Sequence, residues 1–395
     1  MLNETRAVLE QALQVALHKI RLNLPHFQEV FPNDHTTGDR YLPRIAEPEH
    51  NWATGQNVGW TTGFWTGMLW LAHQVTGERP FCTVAQQHTR SFQERLEKGI
   101  NVDMHDLGFL YVPSCVTDFQ VTGTPVAREV ALRAADQLLT RLLPEAGILQ
   151  AWGDKNDPQH AGRMIIDCLL NLPLLHWATL TSGNPQYQQV ARSHTEQSAR
   201  FLVREDHTTY HTYRFDPHTG KPLGGSTHQG AGDQSCWARG QAWGIYGFAL
   251  AYSHLKEERH LQLALDLLDH FMRNLPEDGI AYWDLCFTTG SLEPRDSSAN
   301  AVVVCALLEL AEQMDDPHLK EQHQGAAIRM LLQLVEHCAT RLHEPATGLL
   351  KYGVYSKPHG VGVSEANLWG DYYYLEALVR LLHGIRPASS VCLQN

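Results

Sequence analysis

Three times the chain repeats one punctuation mark. Thr76-Gly77 precedes Pro80, Thr122-Gly123 precedes Pro125, and Ser182-Gly183 precedes Pro185. A glycine just past a helix takes the left-handed turn that ends it. A proline opens the next helix, because its missing N–H is not needed in the first turn. The repeated unit is therefore an αα-hairpin. The spacing predicts helices over roughly 3–23, 62–76, 80–98, 105–122, 125–142, 161–181, 184–203, 235–255, 259–274, 296–313, 317–341 and 364–383. Paired in series, these twelve helices make six hairpins, which build either an open α-solenoid or a closed barrel of inner and outer helices. The segments 62–76, 105–122, 161–181 and 235–255 are apolar nearly all round, as inner helices are, whereas 184–203 and 317–341 are amphipathic. Glycines and aromatics at inner starts, as in Trp60-Thr-Thr-Gly63-Phe-Trp-Thr-Gly67, favour closure. The expectation is an all-α chain: a single (α/α)6 barrel over residues 1–395 with a site at one mouth.

Composition narrows the partners. A hydrophobic fraction of 43% supplies a large core, and a formal charge of -12 argues against nucleic acid or an anionic membrane as a partner. An acidic substrate would need a local basic group. No run of 18 apolar residues suggests a membrane span, and the first residues lack a basic start followed by an apolar stretch. The eight cysteines are scattered without a C-x-x-C pair, as reduced thiols of a cytoplasmic protein are. The assembly expected is a monomer or weak homodimer.

The chemistry gathers in four places. In the run Arg163–Trp177, read as a buried helix, Arg163, Asp167 and Asn171 recur at i, i+4 and i+8 and share a face. Asp167 there either pairs with Arg163 to tie helices together or performs chemistry, since burying a charge without purpose is costly. Asp106, in His105-Asp106-Leu-Gly-Phe109, is either a helix N-cap or a second working carboxylate. Two carboxylates aimed at one cavity suit acid/base chemistry on a sugar, and burial should raise the pKa of one of them. In Trp237-Ala-Arg239-Gly-Gln-Ala-Trp243-Gly-Ile-Tyr246, Arg239 and Trp243 share a face. They could seat a carboxylate-bearing ring in a guanidinium fork beside an indole, with Tyr246 as a core aromatic. The loop Gly224–Gly230 offers backbone donors and short polar side chains. The 23 histidines include no H-E-x-x-H and no compact ligand spacing, so no catalytic metal is expected. No G-x-S-x-G elbow, P-loop or dinucleotide fingerprint is present either.

Four motifs in order, His105-Asp-Leu-Gly-Phe, Ile166-Asp-Cys-Leu-Leu-Asn-Leu, Trp237-Ala-Arg-Gly-Gln-Ala-Trp and Gly370-Asp-Tyr-Tyr-Tyr-Leu-Glu-Ala-Leu, together resemble the unsaturated glucuronyl hydrolases of glycoside hydrolase family 88, from about Trp60 to Arg380. The resemblance implies an (α/α)6 barrel. It also implies an enzyme without metal or organic cofactor that acts on an unsaturated uronic-acid-containing oligosaccharide. Such enzymes hydrate the C4=C5 enol ether of the uronate that lyases leave on glycosaminoglycan fragments, and the hemiketal then opens. Carried over, Asp167 resembles the general acid/base and Asp106 the second essential carboxylate. Trp60, His105, Trp152, His211, Gln229, Arg239 and Trp243 resemble the residues lining the sugar subsites, and Gly225 and Thr227 its loop contacts. Some members accept sulfated substrates through serines and a lysine in a late loop, which here reads Tyr355–Ser364; Lys357 is read as a solvated loop lysine. The rivals are a rhamnogalacturonyl hydrolase acting on pectin fragments, an epimerase on the same barrel, and a non-catalytic sugar-binding protein.

Overall fold

The computed structural model describes residues 2–390. Each expected stop is present. Gly77, Gly123 and Gly183 sit at φ 70°, 72° and 75°, and their N–H groups donate to the carbonyls of His73, Phe119 and Thr179. The helices are α1 (Asn3–Asn23), α2 (Thr62–Thr76), α3 (Arg79–Glu97), α4 (Leu107–Tyr111), α5 (Thr117–Thr122), α6 (Pro125–Leu139), α7 (Pro173–Ser182), α8 (Pro185–Phe201), α9 (Ala238–Leu255), α10 (Glu258–Arg273), α11 (Ser297–Gln313), α12 (Pro317–His337) and α13 (Leu368–His383). A π turn at Val112–Val116 joins α4 to α5, where Pro113 has no N–H to give the regular ladder.

The inner ring runs α2, α4–α5, α7, α9, α11 and α13, and it closes because α13 packs on both α11 and α2. α3, α6, α8, α10 and α12 each cover the inner element that precedes them. The sixth pair is not a hairpin: α1, at the start of the chain, packs on α13, at its end. Leu9, Leu13, Leu17 and Ile20 of α1 are buried there. Lys19 Nζ and Asn23 Nδ2 donate to the carbonyls of Glu344 and Thr347, at 2.6 and 2.8 Å. The inner helices are apolar on every side because every side is covered; in α11 all residues from Ser297 to Ala311 are buried.

One expectation fails locally. The run 161–181 is not one helix. Arg163–Ile165 is a strand, Ile166–Leu170 a 3₁₀ turn, and α7 begins only at Pro173. Two causes are visible. Pro173 cannot continue a helix from before itself, and Met164 and Ile165 pair with Tyr213 and Thr212 across an antiparallel ladder. The i, i+4 argument therefore does not hold for Arg163. Its guanidinium lies over the Trp152 ring, 4.8 Å from the centroid, and donates to the Gln159 carbonyl.

The strands occupy connections between the helices, Arg163–Ile165 within the run expected to be helical. β1 (Leu142–Leu143) pairs with β2 (Ile148–Leu149); β3 (Arg163–Ile165), β4 (Thr212–Phe215) and β5 (Pro222–Ser226) form an antiparallel sheet in that order; β6 (Gly353–Ser356) pairs with β7 (Val361–Glu365). Seven cysteines among the described residues are free, and five of them are buried; Cys392 lies outside the described residues. No helix among the described residues is long and apolar enough to cross a membrane.

Candidate active site

Asp106 and Asp167 arrive from different elements and are locked side by side. Asp106 sits just before α4, yet its side chain makes no capping hydrogen bond, so the N-cap role is vacant and the carboxylate is left to the interior. Asp167 follows β3, held to the sheet where the Ile166 N–H donates to the His211 carbonyl at 3.1 Å. Asn171 joins the two. Its Oδ1 accepts the Phe109 N–H at 2.7 Å, and its Nδ2 donates to the Asp167 carbonyl at 3.3 Å. Gly108 makes this approach possible, because a Cβ there would lie 2.2 Å from the Asn171 Cα.

His105 stands between the carboxylates, with Nε2 3.3 Å from Asp106 Oδ1 and 3.5 Å from Asp167 Oδ1. Burial drives the His105 pKa well below its ordinary value, so the ring is neutral. Burial also raises the Asp106 pKa well above the carboxylate range, and the adjacent Asp167 charge raises it further. Asp167 is pushed by burial up to about 7, with the Arg239 charge and its backbone N–H contacts pulling the other way. The dyad thus holds a proton near neutrality, as an acid/base centre must. The ligand atoms of His105, Asp106 and Asp167 lie within 4.8 Å of one another, close enough to receive a metal ion. The metal-binding tautomer would place a proton on His105 Nδ1, which is buried with no partner among the described residues, so the second shell such a ligand needs is lacking.

A cavity of about 330 Å³ opens above the dyad, lined by Trp60, His105, Asp106, Trp152, Asp167, His211 and Gln229 together with His228, Tyr355, Ser356, His359 and Val361. Seven of the eleven residues singled out in the sequence therefore meet here. Trp60 stacks on Trp369 at 4.9 Å and donates from Nε1 to the Tyr355 hydroxyl at 3.2 Å. Trp152 is placed by an isolated bridge to Met104, beside His105. His211 Nδ1 accepts the N–H groups of His228 and Gln229, at 2.9 and 3.2 Å, which fixes its proton on Nε2.

The other four stand behind the wall. Arg239 is buried and already engaged. Its guanidinium donates to the Val354 carbonyl, to the Tyr355 carbonyl at 2.7 Å and to Asp296 Oδ2 at 3.3 Å, between the rings of Trp237 and Trp369. No free fork points into the cavity; the charge acts through β6 and through its field on Asp167. Trp243 is buried against Phe109 and Tyr373, at 5.4 and 5.7 Å. Tyr246, read as a core aromatic, is buried and donates to Glu376 at 3.0 Å. Gly225 lies in β5 over the Tyr210 ring, and Thr227 Oγ1 accepts the Gly230 N–H at 2.8 Å to shape the loop. Lys357, in the β6–β7 turn, faces Glu293 at 3.7 Å.

Sequence reasoning passed over His228, Tyr355, Ser356, His359 and Val361 as cavity residues. Their signal was positional: His228 lies inside the glycine-rich loop, and the rest lie in the late loop around Lys357.

The profile of glycosyl hydrolase family 88 matches residues 27–388. The chain belongs to this family. It is 42% identical to the unsaturated chondroitin disaccharide hydrolase of Streptococcus pneumoniae over 377 residues, 95% of this chain and 92% of that one. It is 45% identical to the unsaturated glucuronyl hydrolase of Bacillus sp. strain GL1 over 350 residues, 88% of this chain and 92% of the other. The crystal structure of the unsaturated glucuronyl hydrolase from Bacillus sp. GL1 superposes with a TM-score of 0.90, covering 96% of this chain and 98% of its own. As a family 88 member the chain is a glycosidase.

Proposed function

We propose that this family 88 glycosidase removes the Δ4,5-unsaturated uronic acid from the non-reducing end of lyase-generated glycosaminoglycan disaccharides, chondroitin type first. The carrying observation is the Asp106–Asp167 pair at the cavity floor, with a carboxyl that titrates near neutrality. Asp167, protonated, gives its proton to C4 of the enol ether. The C4=C5 π electrons take that proton and leave C5 as an oxocarbenium centre. The resulting Asp167 carboxylate accepts a proton from water as the water oxygen bonds to C5. The product is a hemiketal, which opens and releases the neighbouring sugar with no displacement at the glycosidic carbon. Asp106, kept protonated by its surroundings, hydrogen-bonds to ring hydroxyls, with His105 holding the two carboxyls in register. Trp60 and Trp152 offer flat faces to the flattened ring, and His211 Nε2–H is a donor for the uronate carboxylate. Arg239 supports this wall from behind and moderates the acidity of Asp167.

The names of the relatives support the substrate class, and the unpaired thiols support a cytoplasmic place of work. A monomer or weak homodimer needs nothing from a partner copy, because the described cavity residues come from one chain. The test is the ultraviolet absorbance of the conjugated uronate, followed while the protein is mixed with unsulfated unsaturated chondroitin disaccharide. A decay at enzyme-dependent rate is expected. Absence of decay there, with decay on a pectin-derived unsaturated disaccharide, would move the protein to the rhamnogalacturonyl activity.

A further inference from the structure

One buried cation takes no part in the chemistry above. Arg141 follows α6, is fully buried, and is not one of the residues that line the cavity. Its carbonyl accepts the Gln150 N–H at 2.9 Å, which carries the β1–β2 pairing one residue further. Beyond Gln150 no strand continues, apart from the single bridge of Trp152 to Met104. A segment that leaves its ladder must send its carbonyls elsewhere, because a buried carbonyl without a donor is costly. Here they converge on one guanidinium. Arg141 Nε donates to the Gln150 carbonyl at 3.2 Å, and Nη2 donates to those of Ala151 and Gly153 at 3.3 and 2.8 Å. Nη1 donates to Asp103 Oδ1. The Ala151 carbonyl also accepts the His105 N–H at 3.0 Å. A single planar fork therefore ties the segment that carries Trp152 to the residues 103–105 that run up to the dyad.

We propose that Arg141 is a positioning residue for the uronate ring. Its guanidinium sets where the Trp152 indole stands relative to the carboxyl dyad, and so governs how tightly the sugar is held rather than how fast it reacts. The inference rests on the functional reading above and deepens it, giving control of one wall of the site to a residue that the sugar does not touch. The two halves of the site hang from different anchors. Asp106 and Asp167 are joined through Asn171, and the Arg141 donors go elsewhere. Around Trp152 the Arg163 carbonyl holds the Ala151 N–H at 2.9 Å, and the Arg141 fork supplies the carbonyl side of the same clamp. Gln150 closes it, with Nε2 donating to the Gly153 carbonyl and Oε1 accepting the Gly162 N–H, both at 3.0 Å. Arg141→Lys separates geometry from charge. It keeps the positive charge that, behind burial and the His194 ring, helps to hold His105 neutral, but it replaces the fork with a single ammonium.

The experiment uses the full chain labelled with fluorotryptophan, and the Trp152 fluorine line is identified by its loss in Trp152→Ala. Arg141→Lys should shift or broaden that line and leave the lines of the other tryptophans in place. On unsaturated chondroitin disaccharide it should raise KM about three- to tenfold, with kcat within about twofold of the native value. In the Trp152→Ala background the same substitution should leave KM unchanged, which a general loosening of the fold would not do. Asp103→Ala, at a side chain 67% exposed, removes one anchor of the fork without opening the core. It should move the same line to a smaller degree, and it decides the matter if Arg141→Lys does not fold. A Trp152 line unmoved by these substitutions, or a KM effect of equal size with Trp152 absent, overturns the inference. If the native enzyme does not turn the disaccharide over, the functional reading falls and the fluorine line alone decides the part played by Arg141.

Discussion

Replacing Asp167 by asparagine should make the protein inactive and, at alkaline pH, more stable. In the unfolded chain an aspartate titrates near 3.8, whereas in the fold Asp167 titrates near 7. Between those values the native state holds a proton that the unfolded state has lost. The native state then binds the greater number of protons, and unfolding free energy falls as pH rises. The slope is 1.36 kcal/mol per pH unit for one proton, and about three units separate the two values, so the penalty saturates near ~4 kcal/mol above pH 7. Asparagine resembles the protonated acid in shape and carries no such penalty. Its removal also eases Asp106, whose own pKa the Asp167 charge raises. Urea denaturation of both proteins at pH 5 and pH 8 supplies the measurement, and the difference between them cancels the titrating groups that Asp167 does not influence. From pH 5 to pH 8 the variant should gain about 2–3 kcal/mol on the wild type, two units of the slope less some relaxation. A difference that stays flat, or that turns against the variant as pH rises, would show that the carboxylate is at ease in its charged form. Asp167 would then not be a proton store.

Asp106→Asn should retain the fold, checked by circular dichroism, while kcat falls by about 10³-fold or more on the unsaturated disaccharide. Arg239→Met strands Asp296 in the core, and should cost about 3–5 kcal/mol by denaturant titration with β6 loosened; a stable variant that fails only in KM would instead make Arg239 a substrate ligand. Gly108→Ala forces a methyl into the backbone of Asn171, so a loss of about 1–3 kcal/mol and a collapse of kcat are expected together.

The fold was legible because helix stops are local events. Glycine in the left-handed turn and proline at the first turn are decided within a few residues, so α2, which stops at Gly77, and α6 and α8, which open on Pro125 and Pro185, lie within a few residues of their expected places. The strands were not legible in this way. Arg163-Met-Ile-Ile is a short apolar run that suits a helix or a strand equally, and only its partner, Thr212–Arg214, decides. The site divides along the same line. The two carboxylates stood out because a charge among apolar residues demands a reason. Arg239 stood out for the same reason, but its partners, Asp296 and the carbonyls of β6, lie far along the chain, and composition alone did not distinguish a cation facing the cavity from one tied to the wall behind it. His228 and His359 are exposed polar residues on loops, indistinguishable by type from the other histidines of the chain until the fold brings them to one mouth.

The pairing of α1 with α13 sets the order in which this molecule can be completed during translation. The stripe of Leu9, Leu13, Leu17 and Ile20 leaves the ribosome long before the helix that covers it; Lys19 meets Glu344 only across 325 positions of chain. At ordinary elongation rates that wait is roughly 20–70 s, during which a greasy helix lacks the main native partner it packs on, having only its smaller contact with α2. Trp369, the ring beneath Trp60, emerges at the same late moment. A nascent chain halted before α13 therefore has its carboxylates in hand but neither a sealed ring nor a finished sugar platform, and the site is complete only once α13 has emerged.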